Sequence, residues 1–144
     1  MAVLLVRHAE AGDRYRWDGP DEARPLSDEG EAQADGLVAA LAGFGLERVL
    51  SSPYLRCTQT VTPLAAARGL NVERSDELAE GGGRAALRLV RQLLDAPGAA
   101  VLCTHGDVVE DVLDGLGVER SGETEKGATW ILAPGEARLL PPPA

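Results

Sequence analysis

The sequence has only two histidines, and each lies just beyond a short apolar segment. His8 comes two residues after the segment 2–6, and His105 comes two residues after the segment 99–103. Apolar runs of this kind are typical of strands that are buried on both faces of a parallel sheet. Because ligands of open α/β sheets bind beyond the carboxyl ends of the strands, both imidazoles are predicted to lie at a ligand site.

Two arginines are predicted to reach the same edge of the sheet. Arg7 directly precedes His8, and Arg56 opens the helix that follows a strand around residues 49–50. A guanidinium keeps its proton at working pH, so these two side chains form a local cluster of positive charge that is suited to bind an anion. Taken alone, however, a histidine after a strand is often a satisfied polar residue, and an arginine at a helix start is often solvated. The pattern leaves both interpretations open.

The sequence excludes several other classes of enzyme. The P-loop motif is absent because the only lysine, Lys126, is followed by glycine, and no G-x-S-x-G motif of serine hydrolases occurs. A cysteine phosphatase requires C-x-x-x-x-x-R, but no arginine lies six residues after Cys57 or Cys103. Without a C-x-x-C pair a structural zinc site is not expected, and the one possible metal pair, His105 with Asp107, has too few neighbouring ligands.

The composition is that of a soluble globular protein with an acidic surface. The 14 basic and 23 acidic residues give a formal net charge of −9, which argues against nucleic acid or an anionic membrane as a partner. No apolar stretch reaches the roughly 18 residues of a membrane span, and the first residues lack the pattern of a signal peptide. Two cysteines do not describe a disulfide scaffold. These features predict a cytoplasmic protein.

The apolar residues predict strands that alternate with helices. Stripes at helical spacing indicate four helices: one after Ser27 that closes at Gly43 or Gly45, one over about 53–68 that stops at Gly69, one over 86–94 and one over 108–116. Residues 128–133 and 137–140 flank a Pro-Gly pair and predict a hairpin. Residues 1–140 are therefore predicted to form one α/β domain, a three-layer α/β/α sandwich with a mostly parallel central sheet. Residues 141–144 are expected to be a frayed, proline-rich tail.

A long connection over residues 9–26 shows no periodic pattern, which is typical of a functional loop. It carries Arg14, Trp17 and Arg24 at the same end of the sheet as His8. Trp17 either stacks on a substrate base or pins the loop to the body of the domain, and the sequence favours neither interpretation.

Three separated segments resemble the histidine phosphatase superfamily, the phosphoglycerate mutase-like proteins. They are the segments 5–10 (LVRHAE), 51–60 (SSPYLRCTQT) and 104–106 (THG), and they occur in the family's order along nearly the whole chain. The small subgroup of bacterial phosphohistidine phosphatases is most similar, because Arg24-Pro25-Leu26-Ser27 and Gly30 match its early region. Residues 14–26 are also similar to the phosphatase half of two-domain Nudix hydrolases that act on nucleotides, although no Nudix half is present here.

The resemblance implies a role for each of the residues at the sheet edge. His8 would be the nucleophile that carries a phosphoryl group transiently, while Arg7 and Arg56 would bind the phosphoryl oxygens. His105 would stabilise the charge of the transition state. The backbone amide of Gly106 would bind the anion at a helix N-terminus.

The resemblance also implies a proton donor. In the family the leaving group receives its proton from the glutamate of a leucine-x-glutamate stretch, which corresponds here to Glu80; Glu77 is the alternative. The acid would need a pKa raised by burial near the site. Arg14 and Arg24 are the candidates for binding further phosphate groups, and the resemblance implies neither a metal nor another cofactor.

The function that the resemblance implies is hydrolysis of phosphomonoesters or phosphohistidine through a covalent phosphohistidine on His8. The substrate would be a phosphohistidine protein or, alternatively, a nucleotide or another small metabolite, and a separate Nudix protein is a candidate partner. A weakly active, phosphate-binding regulatory domain is the alternative of a different class. Cys57 and Cys103 are either small buried hydrophobes or points at which oxidation stops the activity.

Overall fold

The apolar segments predicted as strands form the centre of one six-stranded sheet in the computed structural model, which describes residues 1–144. The strands are β1 (Ala2–Arg7), β2 (Leu46–Ser51), β3 (Val72–Arg74), β4 (Ala99–Thr104), β5 (Thr129–Ala133) and β6 (Glu136–Leu140). The helices are α1 (Asp28–Ala40), α2 (Leu55–Arg68), α3 (Gly83–Asp95) and α4 (Gly106–Gly115), with short 3-10 helices at Asp21–Ala23 and Asp76–Leu78. The strand order is β3-β2-β4-β1-β5-β6.

The register of the central strands brings the two histidines to the same level. β1 and β4 are parallel and pair Arg7 with Thr104, so His8 and His105 are the next residues on the two strands. β2 is parallel to β4 on its other side. The carboxyl ends of β1, β2 and β4 therefore lie at one edge of the sheet, where the sequence predicts the ligand site.

Helices cover both faces of the sheet, which confirms the three-layer sandwich. In β1, Val3 and Leu5 belong to the apolar cluster formed with α3 and α4, whereas Leu4 and Val6 belong to the cluster formed with α1 and α2. All four side chains are fully buried. The strand is apolar throughout because each of its faces fills a separate core.

Two helix ends follow the sequence signals. At the start of α1 the Ser27 hydroxyl accepts a hydrogen bond from the Gly30 N–H at 3.1 Å. Gly69 closes α2 with a φ of 66°, in the left-handed region that glycine adopts without strain. α1 ends at Ala40, a few residues before the predicted Gly43. All four helices fall short of the length and apolar character that a membrane span requires.

The predicted hairpin is confirmed, and the structure adds two features to it. β5 runs antiparallel to β1, so the sheet is mixed at this edge, and β6 pairs with β5. β3 has three residues, of which only Val72 is apolar, and such a segment is too short for a recognisable pattern.

The expected proline-rich tail, residues 141–144, forms no helix or strand, and its Pro143 lies against α1. Pro143 lies so close to Gly36 of α1 that a Cβ on this glycine would overlap the proline ring. The end of the chain therefore packs against α1, because the glycine leaves room for it.

Candidate active site

A cavity of about 760 Å³ lies beyond the carboxyl ends of β1, β2 and β4. Every residue that the sequence analysis assigns to the site lines it: Arg7, His8, Arg14, Arg24, Arg56, Glu80, His105 and Gly106. Glu77, the alternative acid, is exposed and does not line the cavity. A separate groove of about 650 Å³ beside the turn between β5 and β6 contains no histidine or cysteine, so the cavity at the strand ends is the candidate site.

His8 is held as a neutral imidazole with one free ring nitrogen. Its Nδ1 lies 2.8 Å from the carbonyl oxygen of Ala9. A carbonyl oxygen only accepts, so Nδ1 carries the proton and Nε2 keeps its lone pair. Burial lowers the pKa of His8 from 6.5 to about 3; the bond to Ala9 opposes this shift, and the charge of Arg56 adds to it. The imidazole is therefore uncharged at neutral pH, as a nucleophile has to be.

Two guanidiniums are fixed beside this ring by backbone carbonyls. Arg7 donates from Nη1 to the carbonyl of Thr124 at 2.6 Å. Arg56 donates from Nη1 to the carbonyl of Asp21 at 2.9 Å, and its Nη2 lies 3.1 Å from the Asp21 carboxylate. A Cβ at Gly106 would lie 2.8 Å from the guanidinium carbon of Arg7, so a larger residue at the start of α4 would displace this guanidinium.

His105 is oriented from the side opposite to the cavity. Its Nε2 lies 2.8 Å from the hydroxyl of Ser52, which also accepts from the Tyr54 N–H at 3.3 Å. Because the Ser52 hydroxyl proton is then available for Nε2, the proton of the neutral ring belongs on Nδ1. The rings of His8 and His105 are 5.6 Å apart between centroids.

Buried donors without a partner are concentrated at this cavity. Four buried side-chain polar atoms have no hydrogen-bond partner, and three of them are Arg7 Nε, Arg56 Nε and His105 Nδ1; the fourth is Thr129 Oγ1. An unsatisfied buried donor costs about 1–3 kcal/mol. Three such N–H groups belong to residues that line one cavity. An anion with several oxygens, bound in this cavity, would supply the missing acceptors.

Glu80 lies at the mouth of the cavity. Its Oε1 is 3.6 Å from Arg56 Nη2, 3.9 Å from Arg14 Nη2 and 4.0 Å from His105 Nδ1. The expected burial is not found, since 40% of the side chain is exposed. The reason is local: Leu78 is buried, whereas Glu80 lies in a turn with Gly81, whose N–H donates to the Asp107 carboxylate at 2.9 Å.

The loop over residues 9–26 is fixed at the cavity by Asp21. The carboxylate of Asp21 binds Arg56 and also accepts from Arg24 Nε at 3.1 Å. Burial alone would raise the pKa of Asp21, but the hydrogen bond from Arg24 and the charge of Arg56 hold it below its usual value. Arg24 is buried and also donates to the carbonyl of Gly12, so it is engaged within the loop.

Arg14 and two aromatic residues occupy the outer part of this loop. Arg14 lines the cavity and is half-exposed. Trp17 donates to the carbonyl of Pro20 at 2.9 Å, a bond within the same loop, and does not line the cavity. Tyr15 lines the cavity instead and is 91% exposed.

The two cysteines are both buried, and one of them contacts the site. Cys57 Sγ lies 3.6 Å from His105 Nε2. Burial alone would raise the pKa of Cys57, but the hydrogen bond with Cys103 lowers it. Burial raises the pKa of Cys103 well above its usual value. Cys57 is therefore a buried residue that also contacts the site.

Four residues that hydrogen-bond to the site or to the backbone beside it were not predicted from the sequence: Asp21, Ser52, Thr60 and Thr124. Ser52 and Thr60 lie within the segment 51–60, and Thr60 follows Arg56 by one helical turn, so its position was available as a signal. Asp21 and Thr124 lie outside any recognisable pattern. Their contacts with arginines join segments that are distant in the sequence.

The histidine phosphatase superfamily (branch 1) is the family whose sequence model matches this chain, over residues 3–87. An 8-oxo-(d)GTP phosphatase of Mycolicibacterium smegmatis is 34% identical over 148 aligned residues, which cover 96% of this chain and 46% of that protein. The chain spans less than half the length of the curated relatives it matches, 46% of one and 41% of another.

Solved structures share the fold over almost the whole chain. A protein of Agrobacterium tumefaciens that carries the name phosphohistidine phosphatase SixA superposes with a TM-score of 0.80 at 25% identity, covering 98% of this chain and 97% of the other. A protein histidine phosphatase SixA in complex with tungstate superposes with a TM-score of 0.81 at 23% identity, covering 97% and 94%. These similarities confirm the phosphoglycerate mutase-like α/β fold.

Proposed function

The chain belongs to the histidine phosphatase superfamily, and on that premise we propose that it hydrolyses phosphomonoesters or phosphohistidine through a covalent phosphohistidine on His8. One observation carries the proposal. Arg7, Arg56 and His105 each keep a buried N–H without a partner, and they line the same cavity as His8, whose Nε2 has a free lone pair. This arrangement matches a phosphoryl group held by three donors and attacked by one nitrogen.

In the first step His8 is phosphorylated. The two guanidiniums neutralise the charge of the phosphoryl group, which removes the repulsion that a dianion exerts on a nucleophile, and the Nδ1–H of His105 donates a hydrogen bond to one of its oxygens. Nε2 of His8 forms a bond to phosphorus while the bond from phosphorus to the leaving oxygen or nitrogen breaks. We assign the proton that the leaving atom receives to Glu80, because its carboxyl group lies within 4.0 Å of Arg56 and His105 and Glu77 does not line the cavity.

In the second step the phosphoryl group passes to water. The Glu80 carboxylate takes a proton from a water molecule, whose oxygen forms a bond to phosphorus as the bond to Nε2 breaks. Inorganic phosphate leaves, the imidazole is neutral again, and Glu80 regains the proton that it gave away. The charge of the phosphoryl oxygens is balanced by guanidiniums throughout, so no metal ion and no other cofactor take part in the proposed reaction.

The first candidate substrate is a small phosphorylated molecule of nucleotide size. A cavity of about 760 Å³ falls in the range of small-molecule sites, and Tyr15 at its mouth offers an exposed ring on which a base can stack. The 34% identical relative is named for a nucleotide phosphatase activity, which supports this candidate. If the substrate is a nucleotide, a separate Nudix protein that supplies it is the candidate partner.

The second candidate substrate is a phosphohistidine protein. It is favoured by the overall superposition on the two SixA structures and by the open position of Glu80 at the cavity mouth. Because this chain is acidic, with a net charge of −9, it would bind a basic surface of the phosphohistidine protein.

A chromogenic phosphate ester with added chelator tests the proposal. The wild-type protein is expected to turn it over at an unchanged rate in chelator, and His8→Ala is expected to lose the activity. Equal, slow rates for the two proteins would indicate a phosphate-binding regulatory domain instead of an enzyme. A phosphate-release screen of nucleotides, sugar phosphates and a phosphohistidine peptide then separates the two substrate candidates.

A further inference from the structure

One buried hydroxyl connects the backbone beside His8 with the backbone of Arg56. Thr60 lies on α2 and is fully buried. Its Oγ1 donates to the carbonyl of Arg56 at 2.7 Å and accepts from the N–H of Ala9 at 2.9 Å. The carbonyl of Ala9 in turn accepts the Nδ1–H of His8 at 2.8 Å. The phosphate-binding helix and the nucleophile are thus joined through a single side chain.

The hydrogen bond between the Ala9 N–H and Thr60 holds the backbone whose carbonyl binds the His8 ring. Ala9 is fully buried, so without Thr60 its N–H would be an unsatisfied donor and the backbone would shift to find another partner. A shift at Ala9 moves the carbonyl that holds the Nδ1 proton of His8. The proton position and the direction of the Nε2 lone pair therefore both depend on Thr60.

We infer that Thr60 is a positioning residue for the nucleophile, an inference that rests on the proposed function of His8. Through the backbone of Ala9 it directs Nε2 of His8 toward a phosphoryl group held by Arg56. The feature that distinguishes Thr60 from other threonines of α2 is its bond to Ala9, not its bond to the Arg56 carbonyl. Thr62 makes the same type of bond one turn back, to the carbonyl of Thr58 at 2.6 Å, and has no hydrogen bond to the loop after β1.

Three variants separate positioning from support of the helix. Thr60→Val keeps the shape and removes both hydrogen bonds of the hydroxyl, Thr60→Ser keeps the hydroxyl, and Thr62→Val removes only a helix back-bond. In Thr60→Val we expect the single-turnover rate of phosphoryl transfer to His8 to fall by about 10- to 100-fold, because a displaced nucleophile loses the productive geometry. Binding of tungstate, which depends on the arginines and His105, is expected to change by less than about threefold.

The two control variants are both expected to resemble the wild type. Thr60→Ser is expected to recover the phosphoryl-transfer rate to within about threefold of the wild type, and Thr62→Val is expected to match it. Equal losses in Thr60→Val and Thr62→Val would overturn the inference. A loss that appears only in tungstate affinity, or a Thr60→Ser variant as slow as Thr60→Val, would overturn it as well.

Nitrogen NMR of the two histidines gives a readout that does not depend on turnover. In the wild type, His8 is expected to carry its proton on Nδ1, and the His8→Ala variant assigns the signals because only His105 then remains. In Thr60→Val the Nε2–H form of His8 is expected to appear. If the wild-type ring carries its proton on Nε2, the inference is wrong even when no variant folds. Failure of the proposed function shows differently, as a wild-type protein without phosphoryl transfer.

Discussion

Two glutamates three positions apart illustrate how much a single side chain decides. Glu80 lies within 4.0 Å of Arg56, Arg14 and His105, whereas Glu77 is exposed outside the cavity. We expect Glu80→Gln to lower kcat for an alkyl phosphate by about 10²- to 10⁴-fold, because the leaving alkoxide then receives no proton. Steady-state kinetics on an alkyl phosphate and on a nitrophenyl phosphate measure this effect.

The leaving group and the second glutamate provide the controls. A nitrophenolate leaves without a proton, so the first step of Glu80→Gln should be much less impaired with that substrate. Glu77→Gln is expected to stay within about twofold of the wild type on both substrates. A large loss in Glu77→Gln with an active Glu80→Gln would show that the acid assignment is wrong.

The neutral His8 also makes the stability of the protein depend on pH. Its pKa is lowered to about 3 in the folded chain by burial, whereas in the unfolded chain it is near 6.5. Between these two values the unfolded state binds more protons than the folded state, so the free energy of unfolding falls as the pH is lowered. Above pH 6.5 His8 is neutral in both states and does not change the free energy of unfolding. Between pH 6.5 and about pH 3 it lowers the free energy of unfolding progressively.

Denaturant unfolding at several pH values measures this dependence. Relative to a His8→Asn variant, the wild type is expected to lose on the order of a few kcal/mol between pH 7 and pH 4. Parallel curves for the two proteins would mean that the pKa of His8 is the same in the folded and unfolded states, which contradicts an imidazole kept neutral by burial.

At the residue scale the sequence predicted those side chains that follow strand ends or open helices. His8, His105, Arg7 and Gly106 come directly from the ends of β1 and β4, so the alternation of elements is enough to bring them together. Thr124 could not be predicted in this way. It holds Arg7 through its backbone carbonyl, and a carbonyl is present in every residue.

Among the secondary structure elements, α1 depends on a close approach at Gly30. The carbonyl of Glu10 accepts from both the N–H and the hydroxyl of Ser27, and a Cβ at Gly30 would overlap that carbonyl. Alanine normally favours a helix over glycine. Here we expect Gly30→Ala to destabilise the protein by about 1–3 kcal/mol, as overpacking does. Thermal and denaturant unfolding measure the change.

Gly43 offers a matched control for this substitution. A Cβ at Gly43 meets no atom within 4 Å, and its φ is not positive. Gly43→Ala is therefore expected to leave the free energy of unfolding within about 0.5 kcal/mol of the wild type. A Gly30→Ala protein as stable as Gly43→Ala would mean that the loop moves away freely from α1.

The elements that the sequence predicted are determined by residues within the element itself, whereas those that it missed depend on contacts with distant residues. The four helices and the β5–β6 hairpin have their own apolar patterns and turn residues. The antiparallel pairing of β5 with β1 is decided by packing across the sheet. The short helix Asp21–Ala23 takes its place from the contacts of Asp21 with Arg56 and Arg24, and no pattern within residues 9–26 announces it.

For the whole molecule, an acidic chain has to concentrate its positive charge in order to bind an anion. The net charge is −9, and the buried donors without partners on Arg7, Arg56 and His105 surround one cavity. Tungstate at about 100 times its Kd is expected to add about 2.7 kcal/mol to the free energy of unfolding, because it binds only the folded state. A rise of several degrees in Tm follows for a protein of this size.

The arginines at the cavity make this effect specific. Arg56→Gln is expected to lose most of the rise in Tm, while chloride at equal ionic strength should produce almost none in either protein. An equal rise with chloride, or in Arg56→Gln, would place the bound anion elsewhere on the molecule.

The central claim is that His8 carries the phosphoryl group during turnover. Rapid quenching of the protein during turnover of a phosphate ester, followed by digestion at high pH and mass spectrometry, tests it most directly. We expect one phosphoryl group on His8, with an adduct that acid removes and base leaves intact. Full turnover with no adduct on His8, together with an active His8→Ala variant, would contradict the claim.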